Sequence, residues 1–247
     1  MRQFVHLIVF LGLMLASACA PAATATATPI PPTPTPVPQP ITFTTPDGVN
    51  VGGYLHGSGK TVVIFSVMGN CRRGWDEMAD LVAQQDDVMA LTYQWRACKE
   101  SGTVVESELQ KFVDDLRGAI NYTRDMGAEK MVLVGASLGG VASARLAIET
   151  SPNGLVIVAA PRTIDEWGFE IGLGDVNIDM PKLFITAEQD SVVDPSRTRE
   201  LFDLAAEPKA WQTYPGTAHG TDLFETESKE AMQQRILDFV LMIAARP

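Results

Sequence analysis

Met131-Val132-Leu133-Val134-Gly135-Ala136-Ser137-Leu138-Gly139-Gly140 is the stretch on which the reading of the fold turns. Residues 131–134 form a short apolar run, as in a strand buried on both faces of a parallel sheet. Residues 138–149 are small and aliphatic and read as a helix. Between the two stands Gly-x-Ser-x-Gly. A strand that passes directly into a helix turns so sharply that the residue at the apex takes strained angles, and only small neighbours fit at Gly135 and Gly139. The hydroxyl of Ser137 then projects above the sheet, beside the positive end of the helix that follows. Ser137 is therefore a candidate nucleophile. The pentapeptide alone is a weak signal, because Gly and Ser are common; the strand–turn–helix setting gives it meaning. The bland alternative is a Gly-rich connection with a buried Ser.

Outward from this turn, strands and helices alternate in both directions. Residues 41–45 and 49–56 flank Pro46-Asp47-Gly48, a hairpin signal. Residues 61–67 read as a buried strand, 76–85 as a helix and 88–95 as a strand. Val105, Leu109, Phe112, Leu116 and Ile120 recur at helical spacing after a capping box of Thr103 and Glu106, which predicts one continuous helix. Residues 155–160 and 182–187 are further buried strands, 197–205 a helix and 210–214 a strand. Met232, Ile236, Phe239, Val240 and Ile243 lie on one stripe of a final helix. A hairpin followed by β-α-β alternation, without internal repeats, predicts one doubly wound α/β domain over residues 41–247.

The first forty residues do not belong to that domain. Arg2 and the apolar run 4–15 read as a secretory leader, too short to span a bilayer comfortably. Ala16-Ser17-Ala18 makes a small-residue cleavage site before Cys19. Residues 1–18 are thus expected to be a signal peptide, and the site resembles the lipobox of bacterial lipoproteins, in which the Cys after the cut is acylated. Ordinary cleavage at the same bond would release a free secreted protein. Residues 19–40 follow as a linker; from Ala20 to Pro40 there are eight Pro, five Thr and five Ala, too few core formers to fold. A polyproline-like stalk on an outer membrane face is expected if Cys19 is acylated.

Composition narrows the chemistry. The chain has 247 residues, 46% hydrophobic, with a formal charge of −11, which rules out a disordered chain and disfavours nucleic acid or other polyanionic partners. Three His, one of them in the leader, are too few for a three-histidine zinc site, and no metal or other cofactor is expected.

A serine hydroxyl needs a neighbour to take its proton. Of the two remaining histidines, His56 precedes Gly57-Ser58-Gly59 and reads as an exposed turn residue. His219 follows strand 210–214 in a loop ahead of the last helix. The chain order Ser, acid, His selects His219 as base. For the acid, residues 184–187 end a buried strand and lead to Glu188-Gln189-Asp190. Asp190 is the candidate that would accept the ring N–H of His219. Asp194, ahead of Pro195 and a helix, is the rival and fits a helix N-cap; Glu188 is a third choice.

These motifs resemble the α/β-hydrolase superfamily, in its small, capless dienelactone-hydrolase-like branch. The resemblance covers residues 41–247 and rests on the turn at Ser137, residues 184–190 with Val192-Val193, His219-Gly220, and Trp75. It implies a mostly parallel eight-stranded sheet flanked by helices, with a minimal cap, and ester or related acyl chemistry. By family position the oxyanion donors would be the backbone N–H groups of Leu138 and Met68. Two departures stand out. Ser66-Val67 occupies the place of the usual His-Gly, and Arg96-Ala97-Cys98-Lys99-Glu100-Ser101 replaces Arg-Gly-x-Gly-x-Ser. In the family's sheet the strands before Cys71 and Cys98 are neighbours, so an exported chain is expected to join Cys71 to Cys98 in a disulfide; two buried free thiols are the alternative.

Only a short segment separates strands 155–160 and 182–187, where larger relatives insert a lid. Trp167, Phe169, Ile171 and Leu173 there either line an apolar wall or pack into the core as a short helix. The expected activity is hydrolysis of a small carboxylic ester through an acyl-enzyme. Peptidase, thioesterase or acyltransferase chemistry with the same triad, or a silent surface-binding protein on the same scaffold, are the alternatives.

Overall fold

The all-apolar runs read from the sequence become the interior strands of the computed structural model, which describes residues 37–66, 74–99 and 104–246. Strands β3 (Thr61–Ser66), β4 (Val88–Tyr93), β5 (Lys130–Ala136), β6 (Gly154–Val158) and β9 (Lys182–Ala187) are buried along nearly their whole length. Such strands need cover on both faces, and helices supply it. Helix α1 (Asp76–Ala83) and the last helix α7 (Lys229–Ala244) pack on one face. Helices α3 (Phe112–Asp125), α4 (Leu138–Thr150), α5 (Leu173–Val176) and α6 (Pro195–Leu204) cover the other.

The eight-stranded sheet runs in the order β1-β2-β4-β3-β5-β6-β9-β10, where β1 is Gln39–Thr44, β2 is Asn50–Gly57 and β10 is Lys209–Tyr214. The hairpin pair β1–β2 and the pair β2–β4 are antiparallel, and all other neighbours are parallel. This is the mostly parallel sheet that the resemblance implies. It puts the ends of β3, β4, β5, β6, β9 and β10 along one rim, where the site is built.

The hairpin turn forms as its residues demand. Gly48 holds φ of 85°, Gly48 N–H donates to the Thr45 carbonyl, and Thr45 N–H donates to the Val49 carbonyl. Strand β1 begins at Gln39, two residues earlier than the reading; Pro40 is tolerated because β1 is an edge strand.

Three expectations are corrected. The helix predicted from Val105 to Ile120 is two pieces, α2 (Glu106–Leu109) and α3, with the break at Gln110 and Lys111. A bridge between Cys98 and Val104, and a Val105 N–H bond to the Ala97 carbonyl, tie the incoming chain to the loop after β4. That tie sets the entry of α2 independently of α3. Thr103 of the predicted capping box lies outside the described residues. His56 is not an exposed turn residue: it sits inside β2, 1% exposed. The segment between β6 and β9 is not a single short helix. It forms a two-stranded ribbon, β7 (Thr163–Ile164) and β8 (Phe169–Glu170), joined by a 3₁₀ turn, Asp165–Trp167, and followed by α5. Ile171 is fully buried, while Trp167 and Phe169 are half-buried with their rings 6.0 and 5.7 Å from that of Phe112.

Candidate active site

Strand β5 delivers Ser137 to the rim. Its φ of 51° and ψ of −120° lie in a region that side chains disfavour, as the sharp passage from β5 into α4 requires. The crowding is severe at Gly135, where a Cβ would stand 2.1 Å from the carbonyl oxygen of Gly139. Ser137 is braced from both sides: its N–H donates to the Val158 carbonyl of β6 (2.8 Å), and its carbonyl accepts the Val141 N–H (3.0 Å). Leu138 is the first residue of α4, so its backbone N–H belongs to the first turn, whose donors have no acceptor within the helix. Met68, the other expected oxyanion donor, lies outside the described residues.

The candidate acid and base come from the loops after β9 and β10, and main-chain bonds lace those loops together. Glu188 N–H donates to Tyr214, Gln189 N–H to Gly216 and Ser191 N–H to Thr217. The lacing carries Asp190 to His219. Nδ1 of His219 donates to Oδ2 of Asp190 at 2.8 Å, with Oδ1 at 3.1 Å. Oδ1 of Asp190 also accepts the N–H groups of Val192 and Val193 at 2.9 and 3.0 Å, which fixes the carboxylate in place. Both residues are buried, at 7% and 8% exposure. With Nδ1 as donor, Nε2 is left as the basic nitrogen. Nε2 is buried and makes no hydrogen bond among the described residues, so Ser137 and His219 are not bonded to one another here. Such bonds often tighten only when substrate is bound.

The rival carboxylate does other work. Asp194 caps α6, its Oδ1 accepting the Ser196 N–H at 2.8 Å and the Ser196 hydroxyl at 2.6 Å, which holds its carboxyl below the usual range. Glu188 is exposed, and the ring of His219 turns its Nδ1 to Asp190 instead.

Sequence reasoning missed what flanks these residues. Trp75, buried beside the rim, donates its indole N–H to the Ser66 carbonyl at the end of β3 (2.9 Å). The Ser66 hydroxyl meets the Tyr93 hydroxyl at 3.0 Å, and burial pushes the Tyr93 phenol above its ordinary range. The signal was available only as the Trp75 match itself. A cavity of about 780 Å³ opens at the same rim near β2 and β4, walled by Tyr54, Trp75, Tyr93, Gln94, Trp95 and Lys99. Ser137, Asp190 and His219 do not line it. Cys98 is half-buried, and its expected partner Cys71 lies outside the described residues, as does Cys19. Among the described residues no group of His, Cys, Asp and Glu is placed to hold a metal ion.

A family model described as "Alpha/beta hydrolase family" matches residues 54–243. An esterase from Pyrococcus furiosus superposes with a TM-score of 0.68 at 16% identity, covering 83% of this chain and 92% of its own. The esterase domain of a Rhodothermus marinus protein gives 0.63 at 16% identity, over 82% of this chain and 97% of its own. A Xanthomonas campestris protein described as an α/β serine hydrolase without a lid gives 0.65 at 17%, over 88% and 100%. No curated protein matches the sequence.

Proposed function

The chain belongs to the alpha/beta hydrolase family, and on that footing we propose that it is a serine hydrolase cleaving a small carboxylic ester through an acyl-enzyme. The observation that carries the reading is the buried His219–Asp190 pair at the rim where Ser137 stands in a strained turn. Ser137 Oγ attacks the ester carbonyl while Nε2 of His219 takes its proton; Asp190 holds the ring and stabilises the imidazolium. The charge on the tetrahedral oxygen falls to the Leu138 N–H, with Met68 as second donor by family position. His219 returns the proton to the leaving alkoxide, and water, deprotonated by the same nitrogen, releases the acid. The short β7–β8 ribbon, in place of a large lid, favours a small or extended ester.

A fluorophosphonate probe tests the reading. It should label the full chain once, at Ser137, and Ser137→Ala should abolish labelling. Asp190→Asn should lower kcat by roughly 10⁴, by loss of the correct His tautomer. Absence of labelling in the wild type, or equal labelling of Ser137→Ala, refutes it.

Export, acylation of Cys19 to anchor the domain on an outer membrane face, and a Cys71–Cys98 disulfide complete the proposal. They rest on the leader, the Ala16-Ser17-Ala18-Cys19 site and the placement of β3 beside β4. Membrane fractionation of Cys19→Ala and thiol counting on denatured, unreduced protein test them.

A further inference from the structure

We infer that Trp75 is a positioning residue that sets the His219 loop against the nucleophile's strand. The inference rests on the hydrolase reading above and adds to it a specific contact. Nε2 of His219 is buried with no hydrogen-bond partner among the described residues, so catalysis depends on how accurately two separate loops present it to Ser137. Neither loop fixes that spacing by itself: Ser137 is braced by β6 and α4, Asp190 and His219 by each other.

Trp75 joins the two. On one side its indole N–H grips the carbonyl of Ser66, and Ser66 pairs in register with Gly135, two residues before the nucleophile. The Ser66 hydroxyl is in turn held by Tyr93, so the residue that Trp75 grips is fixed at both its carbonyl and its side chain. The indole ring lies 5.2 Å from Phe65 of the same strand. On the other side the ring meets Phe224 edge-on at 5.6 Å, within the 3₁₀ turn Gly220–Glu225 that leaves His219. Its neighbour Gly74 presses the same turn: a Cβ there would stand 2.3 Å from Oγ1 of Thr221. Trp75, 1% exposed, is therefore a rigid spacer between the strand beside the nucleophile and the turn that carries the base. A ring without the N–H, or a smaller ring, lets the two drift, and small misplacements of reacting groups cost large factors in rate.

The test is a double-mutant cycle on the full chain with p-nitrophenyl butyrate as substrate. Trp75→Phe and Phe224→Leu should each lower kcat about tenfold with KM within twofold, and slow fluorophosphonate labelling in step. The double variant should lose little more than either single one, because each breaks the same link that runs from Ser66 through Trp75 to Phe224. Ile120→Val, a core change in α3 away from the rim, controls for stability: it should lower the melting temperature and leave kcat within twofold. Tyr93→Phe, which removes a single oxygen, serves if Trp75→Phe does not fold, and should also lower kcat at constant KM. Variants whose kcat stays at the wild-type value while their melting temperatures fall would overturn the positioning role and leave the hydrolase reading intact. A wild-type chain unreactive toward the probe would overturn both.

Discussion

At the scale of single residues the molecule stores backbone strain at the turn that presents the proposed nucleophile. Ser137 holds φ of 51° with Gly135 pressed against the backbone of Gly139. A residue in such a region costs on the order of 1–3 kcal/mol, which glycine would largely avoid. Ser137→Gly and Ser137→Ala should therefore both be inert to the probe, yet Ser137→Gly should be the more stable by about 1 kcal/mol in urea unfolding. Equal stabilities would mean that the turn carries no strain. This position was legible in the sequence, because the pattern names the one residue that must bend. The ordering of Asp190 and His219 after Ser137 was equally readable. What could not be read was the carboxylate's environment: Asp190 and Asp194 stand four residues apart, and only the lacing of the Asp190 loop to Gly216 and Thr217 turns Asp190 toward the ring.

At the scale of elements, the structure contains a second histidine–carboxylate pair that mimics the first. His56 of β2 bonds through Nδ1 to Asp80 of α1 at 2.7 Å and through Nε2 to the Thr92 hydroxyl of β4 at 3.0 Å. The order hydroxyl, imidazole, carboxylate is that of a triad, but Thr92 is 4% exposed within a strand and has no strained turn to present it. The pair instead joins α1 to two strands. His56→Ala should cost about 2–4 kcal/mol in denaturant unfolding, since it opens a cavity and strips a buried hydroxyl of its partner. It should leave kcat within twofold; a large loss of kcat in a stable His56→Ala protein would give this pair a catalytic part. Sequence reading put His56 in an exposed turn because Gly57-Ser58-Gly59 follows it. Its burial depends on β2–β4 register, which sets Tyr54 beside Thr92, and no local pattern reports that register. Helix 105–120 failed similarly. Its apolar spacing is real, but the Cys98–Val104 bridge, a contact from outside the helix, sets its first turn apart. Strands buried on both faces were readable throughout because their apolar runs need no partner to be recognised.

At the scale of the whole molecule, one cation ties three distant parts of the chain. Arg96 sends Nη1 and Nη2 to Asp47 in the β1–β2 turn and Nε to Asp115 in α3. Its backbone N–H also donates to Asp115 at 2.9 Å. The guanidinium gives three hydrogen bonds to these two carboxylates and so braces the fold. Its two carboxylates respond to acid with opposite signs. The Arg96 hydrogen bonds, followed by that from Thr45, hold Asp47 well below the ordinary carboxylate range, whereas burial raises Asp115 despite its own bonds to Arg96. A depressed group stabilises the fold above its unfolded pKa, about 3.9, and that contribution is lost as pH falls through the folded value. A raised group does the reverse: its contribution is full below about 3.9 and is lost as pH climbs through its folded value. Against wild type, Asp47→Asn should therefore show a melting-temperature deficit that is constant from pH 7 to about pH 5 and shrinks below about pH 4. For Asp115→Asn the deficit should instead widen as the solution is acidified toward pH 4. Thermal melts of the three proteins between pH 3 and pH 7 read both slopes at once. A deficit for Asp47→Asn that holds steady down to pH 3 would mean that the turn is secured by Thr45 and Gly48 alone, and that Arg96 spans fewer parts of the fold than its hydrogen bonds imply.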